Sequence, residues 1–102
     1  MTISLQGDYG KPRPALVIQS DMFSEAQSKT VLPLTSTLID APLIRVQIEP
    51  TPQNHLRAAS HVMIDKAVTL PVDKLGASFG TVNDATMVTV NRALALFLGL
   101  AG

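Results

Sequence analysis

A mainly β chain ending in one α-helix, wrapped as a small curved antiparallel sheet or half-open barrel, is the fold class this sequence predicts. Three observations carry the prediction. Short apolar runs rich in β-branched residues recur between turn residues, as in ALVIQ (15–19), TVLPLTS (30–36) and IRVQI (44–48). After Asn83 the apolar spacing changes to three and four residues, through Met87, Val90, Leu94 and Phe97, which is the helical period. A chain of 102 residues also has room for only one core, so residues 1–102 are expected to form a single domain.

The elements follow in order. Thr2 to Leu5 alternates weakly and stops at Gly7, which gives a short first strand. Ala15 to Gln19, entered through Pro14, suits a strand buried on both faces. In Thr30 to Ser36, Pro33 marks an edge, a bulge or a strand end, because proline cannot donate to the ladder. Ile44 to Ile48 is the cleanest alternation, with Ile44, Val46 and Ile48 inward and Arg45 and Gln47 outward. A loop from Glu49 to His55 contains two prolines. Ala59 to Ile64 and Ala67 to Leu70 are short strands separated by the polar break Asp65-Lys66. A turn over Val72 to Leu75 and a small strand near Ala77 to Phe79 lead to the helix. Asn83 is a good N-cap, Asp84 lies at the positive end of the helix dipole, and Gly99 offers a stop. Apolar residues outside the main stripe, Val88, Ala93, Leu96 and Leu98, point to a second buried surface and hence to a homodimer.

Composition narrows the function. The absence of cysteine removes disulfides, thiolate metal sites and cysteine nucleophiles. The two histidines, His55 and His61, have no carboxylates at ligand spacing, so neither a metal nor another cofactor is expected. No apolar run reaches the roughly 18–20 residues of a membrane span and the N-terminus lacks a signal-peptide layout, so the expected location is the cytoplasm, away from membranes. Eight basic residues balance eight acidic ones, so any nucleic-acid binding must rest on local arrangement. With only four aromatic residues, a platform of stacked rings is disfavoured.

Three places could carry chemistry. Arg13 stands between Pro12 and Pro14, which stiffen the segment that presents it. A guanidinium there offers five donors and matches a phosphate bidentately, although a solubilising surface charge would look the same. Thr35 and Ser36 place two hydroxyls at the end of an apolar strand, where threonine is also simply a good β-former. Asp65-Lys66, four residues after His61, gathers an acid, a base and a donor, as any polar strand break would. No phosphate-binding glycine loop, dinucleotide fingerprint or nucleophile elbow is present.

Taken together, GKPRPALVIQSD, VLPLTST, MIDKAVTLP and the closing LGASFGTVNDATM and ALALFLGL resemble the MazF/PemK family of toxin endoribonucleases over residues 2–100. The resemblance implies an SH3-like half-open barrel, a homodimer, an antitoxin protein as partner, and metal-independent cleavage of single-stranded RNA (mRNA) to 2′,3′-cyclic phosphate and 5′-hydroxyl ends. It places Arg13 on the family's catalytic arginine, Thr35 on the threonine that closes the third strand, and Asp65 on the aspartate of the Asp-Gln turn. Tyr9, Lys11, Ser36, His61 and Lys66 are then expected to contact RNA. Lys66 stands where that turn usually has glutamine, and the segment before Arg-Pro is short. The general base stays open among Asp65, His61 and Asp8. Two alternatives accompany this expectation. One is a gyrase poison of the CcdB branch of the superfamily, whose tail carries an aromatic that Leu98-Gly99-Leu100 lacks. The other is a member that binds antitoxin or RNA without cutting.

Overall fold

The computed structural model describes residues 2–6, 13–18, 23 and 25–100. Tyr9 and Lys11, like Asp8, lie outside the described residues. Seven strands precede one helix: β1 Thr2–Gln6, β2 Arg13–Val17, β3 Ser28–Thr35, β4 Arg45–Ile48, β5 Ser60–Met63, β6 Val68–Pro71, β7 Leu75–Thr81 and α1 Asp84–Phe97. The strands form one antiparallel sheet in the order β4-β5-β3-β2-β1-β7, with β6 attached to β3. The expected class is therefore observed: an unclosed antiparallel sheet with a C-terminal helix. Several strands extend beyond their expected bounds, β3 for example beginning at Ser28, where it pairs with Pro71 of β6. β2 starts at Arg13 because the extended backbone that Pro14 imposes on its predecessor already pairs, with Gln6. β7 runs through Leu75–Thr81 because β1 gives it a partner along its length.

Pro33 has a topological meaning. One edge of β3 pairs with β2, while its other edge pairs with β6 from Ser28 to Val31 and with β5 at Leu34 and Thr35. Pro33 falls in the interval where that second edge changes partner, so its missing N–H coincides with a break in the ladder. The break lets β4 and β5 diverge from β6. Alternation along the strands then builds two apolar clusters. Ile3, Leu16, Leu32, Leu34, Val46, Ile48 and Val62 form the larger core with Met87 and Val90 of α1, and Ala15, Val31 and Leu70 form the smaller one.

Helix α1 begins and ends where local chemistry dictates. The Asn83 side chain accepts from the Thr86 N–H at 2.8 Å, satisfying one of the helix's unpaired donors. At the other end Gly99 takes φ +75°, with Leu100 N–H bonding to Ala95 O at 2.8 Å and Gly99 N–H to Leu96 O at 3.2 Å. This is the Schellman arrangement, which requires the left-handed conformation that glycine adopts without strain. Met87 and Val90 are buried and Ala93 and Leu94 half-buried, but Phe97, expected in the same stripe, is 49% exposed. Together with Val88, Leu96, Leu98 and Leu100 it leaves the end of the helix with a solvent-facing apolar surface. Among the described residues no helix is long and apolar enough to cross a membrane.

Candidate active site

The strand registers bring residues distant in sequence into one row. Thr35 pairs with His61, and His61 pairs with Gln47. The β2–β3 ladder runs Val17↔Val31, Leu16↔Leu32, Ala15↔Pro33 and ends there; Arg13 and Thr35 lie two residues beyond that last pair, at the start of β2 and the end of β3. Arg13, Thr35, His61 and Gln47 thus cross four neighbouring strands on the sheet face opposite the large core, at the strand ends where β2 begins and β3 finishes. Arg13 is exposed, and among the described residues its guanidinium has no hydrogen-bond or ion-pair partner.

Thr35 is oriented rather than merely β-forming. Its Oγ1 accepts from the Thr37 N–H at 3.1 Å, which turns the chain out of β3 and leaves the hydroxyl proton free to donate outward. Ser36 beside it is exposed. His61 is buried and engaged through both ring nitrogens. Nδ1 accepts from Ile39 N–H at 3.5 Å, so the neutral tautomer donates from Nε2 to Gln47 Oε1 at 3.3 Å, and Gln47 Nε2 donates to Glu49 Oε1 at 2.7 Å. This chain ties the segment after Thr35 to the β4–β5 hairpin.

A cavity of about 550 Å³ opens at the end of β3, beneath the loop joining β4 to β5 and on the side of the large core. Leu34, Leu56 and Phe79 give it an apolar floor; Thr35, Ser36 and Arg57 are on its lining. The loop is held by Asn54, which is 2% exposed. Its Oδ1 accepts from Thr51 N–H at 3.0 Å and Leu56 N–H at 2.9 Å, its Nδ2 donates to Glu49 O at 2.9 Å, and its own N–H reaches Thr51 Oγ1 at 3.1 Å. Packed against this turn is Gly80, where an added Cβ would lie 2.3 Å from Asn54 O. His55 completes the turn with φ +56°, a left-handed conformation uncommon outside glycine. His55, Arg57 and Asn54 escape a reading of the sequence for chemistry. The available signal is the Thr-Pro-Gln-Asn run at 51–54, a turn signature whose side-chain bonds pin a loop locally.

Asp65 and Lys66 lie elsewhere. They occupy a 3-10 turn over Ile64–Lys66, beyond the end of β5, and do not line the cavity. Lys66 is exposed. Arg45, expected to face solvent, is instead 11% exposed, because this turn folds over the hairpin end, with Ile64 N–H bonded to Ile44 O at 3.0 Å. Arg45 donates to Asp65 Oδ1 at 2.6 Å and to Ile44 O at 3.1 Å, while its Nε is buried without a partner. The Arg45 hydrogen bond, outweighing partial desolvation, holds the Asp65 carboxyl below its ordinary value. A depressed folded value means that the stabilisation is complete above the unfolded value, about 3.9, and is lost as pH falls from there through the folded value. Thermal melts of wild type and Asp65→Asn should accordingly differ most near neutrality and converge below about pH 4. A difference that is unchanged down to pH 2.5 would show that the pair does not titrate with folding.

Residues 1–98 match the family described as PemK-like, MazF-like toxin of type II toxin-antitoxin system. The chain belongs to that family. It is 47% identical over 102 residues, covering 99% of this chain and 94% of the relative, to a protein of Mycolicibacterium smegmatis named probable endoribonuclease MazF. Among solved structures it is similar to the Mycobacterium tuberculosis toxin MazF-mt6, with a TM-score of 0.83 and 23% identity over 97% of both chains, a likeness of fold. It is also similar to a mycobacterial endoribonuclease in complex with its cognate antitoxin, with a TM-score of 0.79 and 25% identity over 99% of this chain and 94% of that one. The family is the MazF/PemK one, and the gyrase-poison alternative is not favoured.

Proposed function

We propose that this single-domain toxin is an endoribonuclease that cleaves single-stranded RNA without a metal. The observation that carries it is the placement of Arg13 at the start of β2 and Thr35 at the end of the neighbouring β3, an exposed guanidinium without a partner among the described residues and a hydroxyl left able to donate. In the reaction the ribose 2′-oxygen bonds to the adjacent phosphorus while the bond from phosphorus to the 5′-oxygen breaks. The 2′-hydroxyl loses a proton and the departing 5′-oxygen gains one, leaving a 2′,3′-cyclic phosphate and a 5′-hydroxyl. The main demand is stabilisation of charge on the phosphate oxygens, which a bidentate guanidinium and a threonine donor supply. Ser36 and Lys66, both exposed, are suited to phosphate contacts along the strand. His61, with both nitrogens engaged, is a support for the row, and Asp65, paired with Arg45, orients the hairpin end.

The family and the antitoxin-bound relative support an antitoxin as protein partner. The apolar end of α1 supports a homodimer that covers Phe97 and its neighbours. A toxin that acts on messenger RNA works in the cytoplasm. The test is digestion of a mixed-sequence RNA in EDTA. Wild type should give fragments whose 5′ ends accept phosphate from a kinase without prior phosphatase treatment and whose 3′ ends are cyclic. Intact RNA overturns the proposal.

A further inference from the structure

We propose that His61 is a positioning residue for Thr35, locked in one tautomer by a chain of side chains that begins at Glu49. This rests on the endoribonuclease reading above and adds what sets the rate of the cut. Thr35 and His61 are direct cross-strand partners in β3 and β5, so their side chains share one face of the sheet. His61 is nevertheless only 6% exposed, because the segment after β3 folds back over it and brings the Ile39 N–H to its Nδ1 at 3.5 Å.

The tautomer follows from charge. Glu49 Oε1 accepts from Gln47 Nε2 at 2.7 Å, and an ionised carboxylate can only accept, so the Gln47 amide turns its NH2 toward Glu49 and its oxygen toward the ring. That oxygen lies 3.3 Å from His61 Nε2 and can itself only accept, which places the ring proton on Nε2. Nδ1 then carries the lone pair of the neutral imidazole, and the Ile39 N–H occupies it. His61 is therefore not the general base. Its work is on the turn that follows β3. Thr35 Oγ1 accepts from Thr37 N–H at 3.1 Å, and the hydroxyl proton stays aimed outward only while residues 35–37 hold that turn. Ile39, two residues further on, is where His61 fastens the turn to β5. Glu49 is exposed, so a surface carboxylate sets the aim of a hydroxyl two strands away.

The tests use the full chain. Asparagine places its Oδ1 where Nδ1 stood, and glutamine places its Nε2 where the ring Nε2 stood. His61→Gln should keep the bond to Gln47 but release Ile39, lowering kcat on RNA by about three- to tenfold, the effect of one hydrogen bond, with KM unchanged. His61→Asn keeps an acceptor for Ile39 and should recover most of that loss, although it breaks the contact with Gln47. Glu49→Ala frees the Gln47 amide to turn over and, without touching the core, should lower kcat in the same sense at unchanged KM. In a Thr35→Val background His61→Gln should add less than about twofold, because the group it positions is gone. A purely architectural His61 would leave the Asn and Gln variants equally slow and their effects independent of Thr35, and either result overturns the inference. Two readouts do not depend on cleavage. The nitrogen NMR spectrum of the imidazole should show the proton on Nε2, and Ile39 amide exchange should quicken about three- to tenfold in His61→Gln but not in His61→Asn. A proton on Nδ1, or unchanged exchange in His61→Gln, overturns the relay. Wild type that leaves RNA intact removes the endoribonuclease reading, and these two measurements then decide the relay alone.

Discussion

Replacing Arg13 with alanine is expected to slow RNA cleavage by about 10²–10³-fold, the usual loss when one preorganised donor to a developing oxyanion is removed. The melting temperature should stay within a degree or two. Arg13 is exposed and, among the described residues, its guanidinium makes no hydrogen bond or ion pair, so truncating it leaves no buried group unsatisfied. Arg13→Lys keeps the charge but not the planar fork, and should recover only part of the lost rate. Initial rates on an end-labelled RNA, paired with thermal melts, check both halves. Equal cutting by Arg13→Ala would remove the arginine from the mechanism.

Gly80→Ala is expected to have the largest effect on stability. The new methyl would sit 2.3 Å from Asn54 O and 2.7 Å from Asn54 C, which are backbone atoms and cannot rotate away. Relief requires the turn at Asn54 to move. That turn is tied by the Asn54 side chain and by the Thr81 N–H bond to Gln53 O at 2.9 Å, so several buried hydrogen bonds stretch together. Overpacking and weakened buried bonds should together cost about 2–4 kcal/mol. In a chain this size that corresponds to a fall in melting temperature of about 10–25 °C, measurable by circular dichroism. A shift below 3 °C would show that the loop yields freely and does not form a fixed wall.

These two residues also mark what sequence can and cannot disclose. Arg13 is legible because its presentation is local: Pro14 sets its backbone, and the apolar run behind it announces a strand. The helix ends at Asn83 and Gly99 are legible for the same reason, since caps depend on neighbours within a turn. Gly80 is illegible, for its requirement comes from the Asn54 backbone, which only the folded sheet brings near. Arg45 misleads, because strict alternation sends it to solvent while the turn that follows its cross-strand partner Met63 closes over it. Pro33 is half legible: a break is evident, but that the break is a change of partner depends on β6 and β5 sharing one edge.

The anchoring of the β4–β5 loop bears on how such toxins diversify. Asn54 fastens the base of the loop, whereas Arg57 and Ala58 beyond it are exposed and form no side-chain bonds among the described residues. Arg13 and Thr35 come from the sheet, in separate strands. Substitutions at 57 and 58 can therefore accumulate without removing the hydrogen bonds that hold the base of the loop. The tip of the loop can thus vary from one lineage to another while the frame that carries it stays fixed.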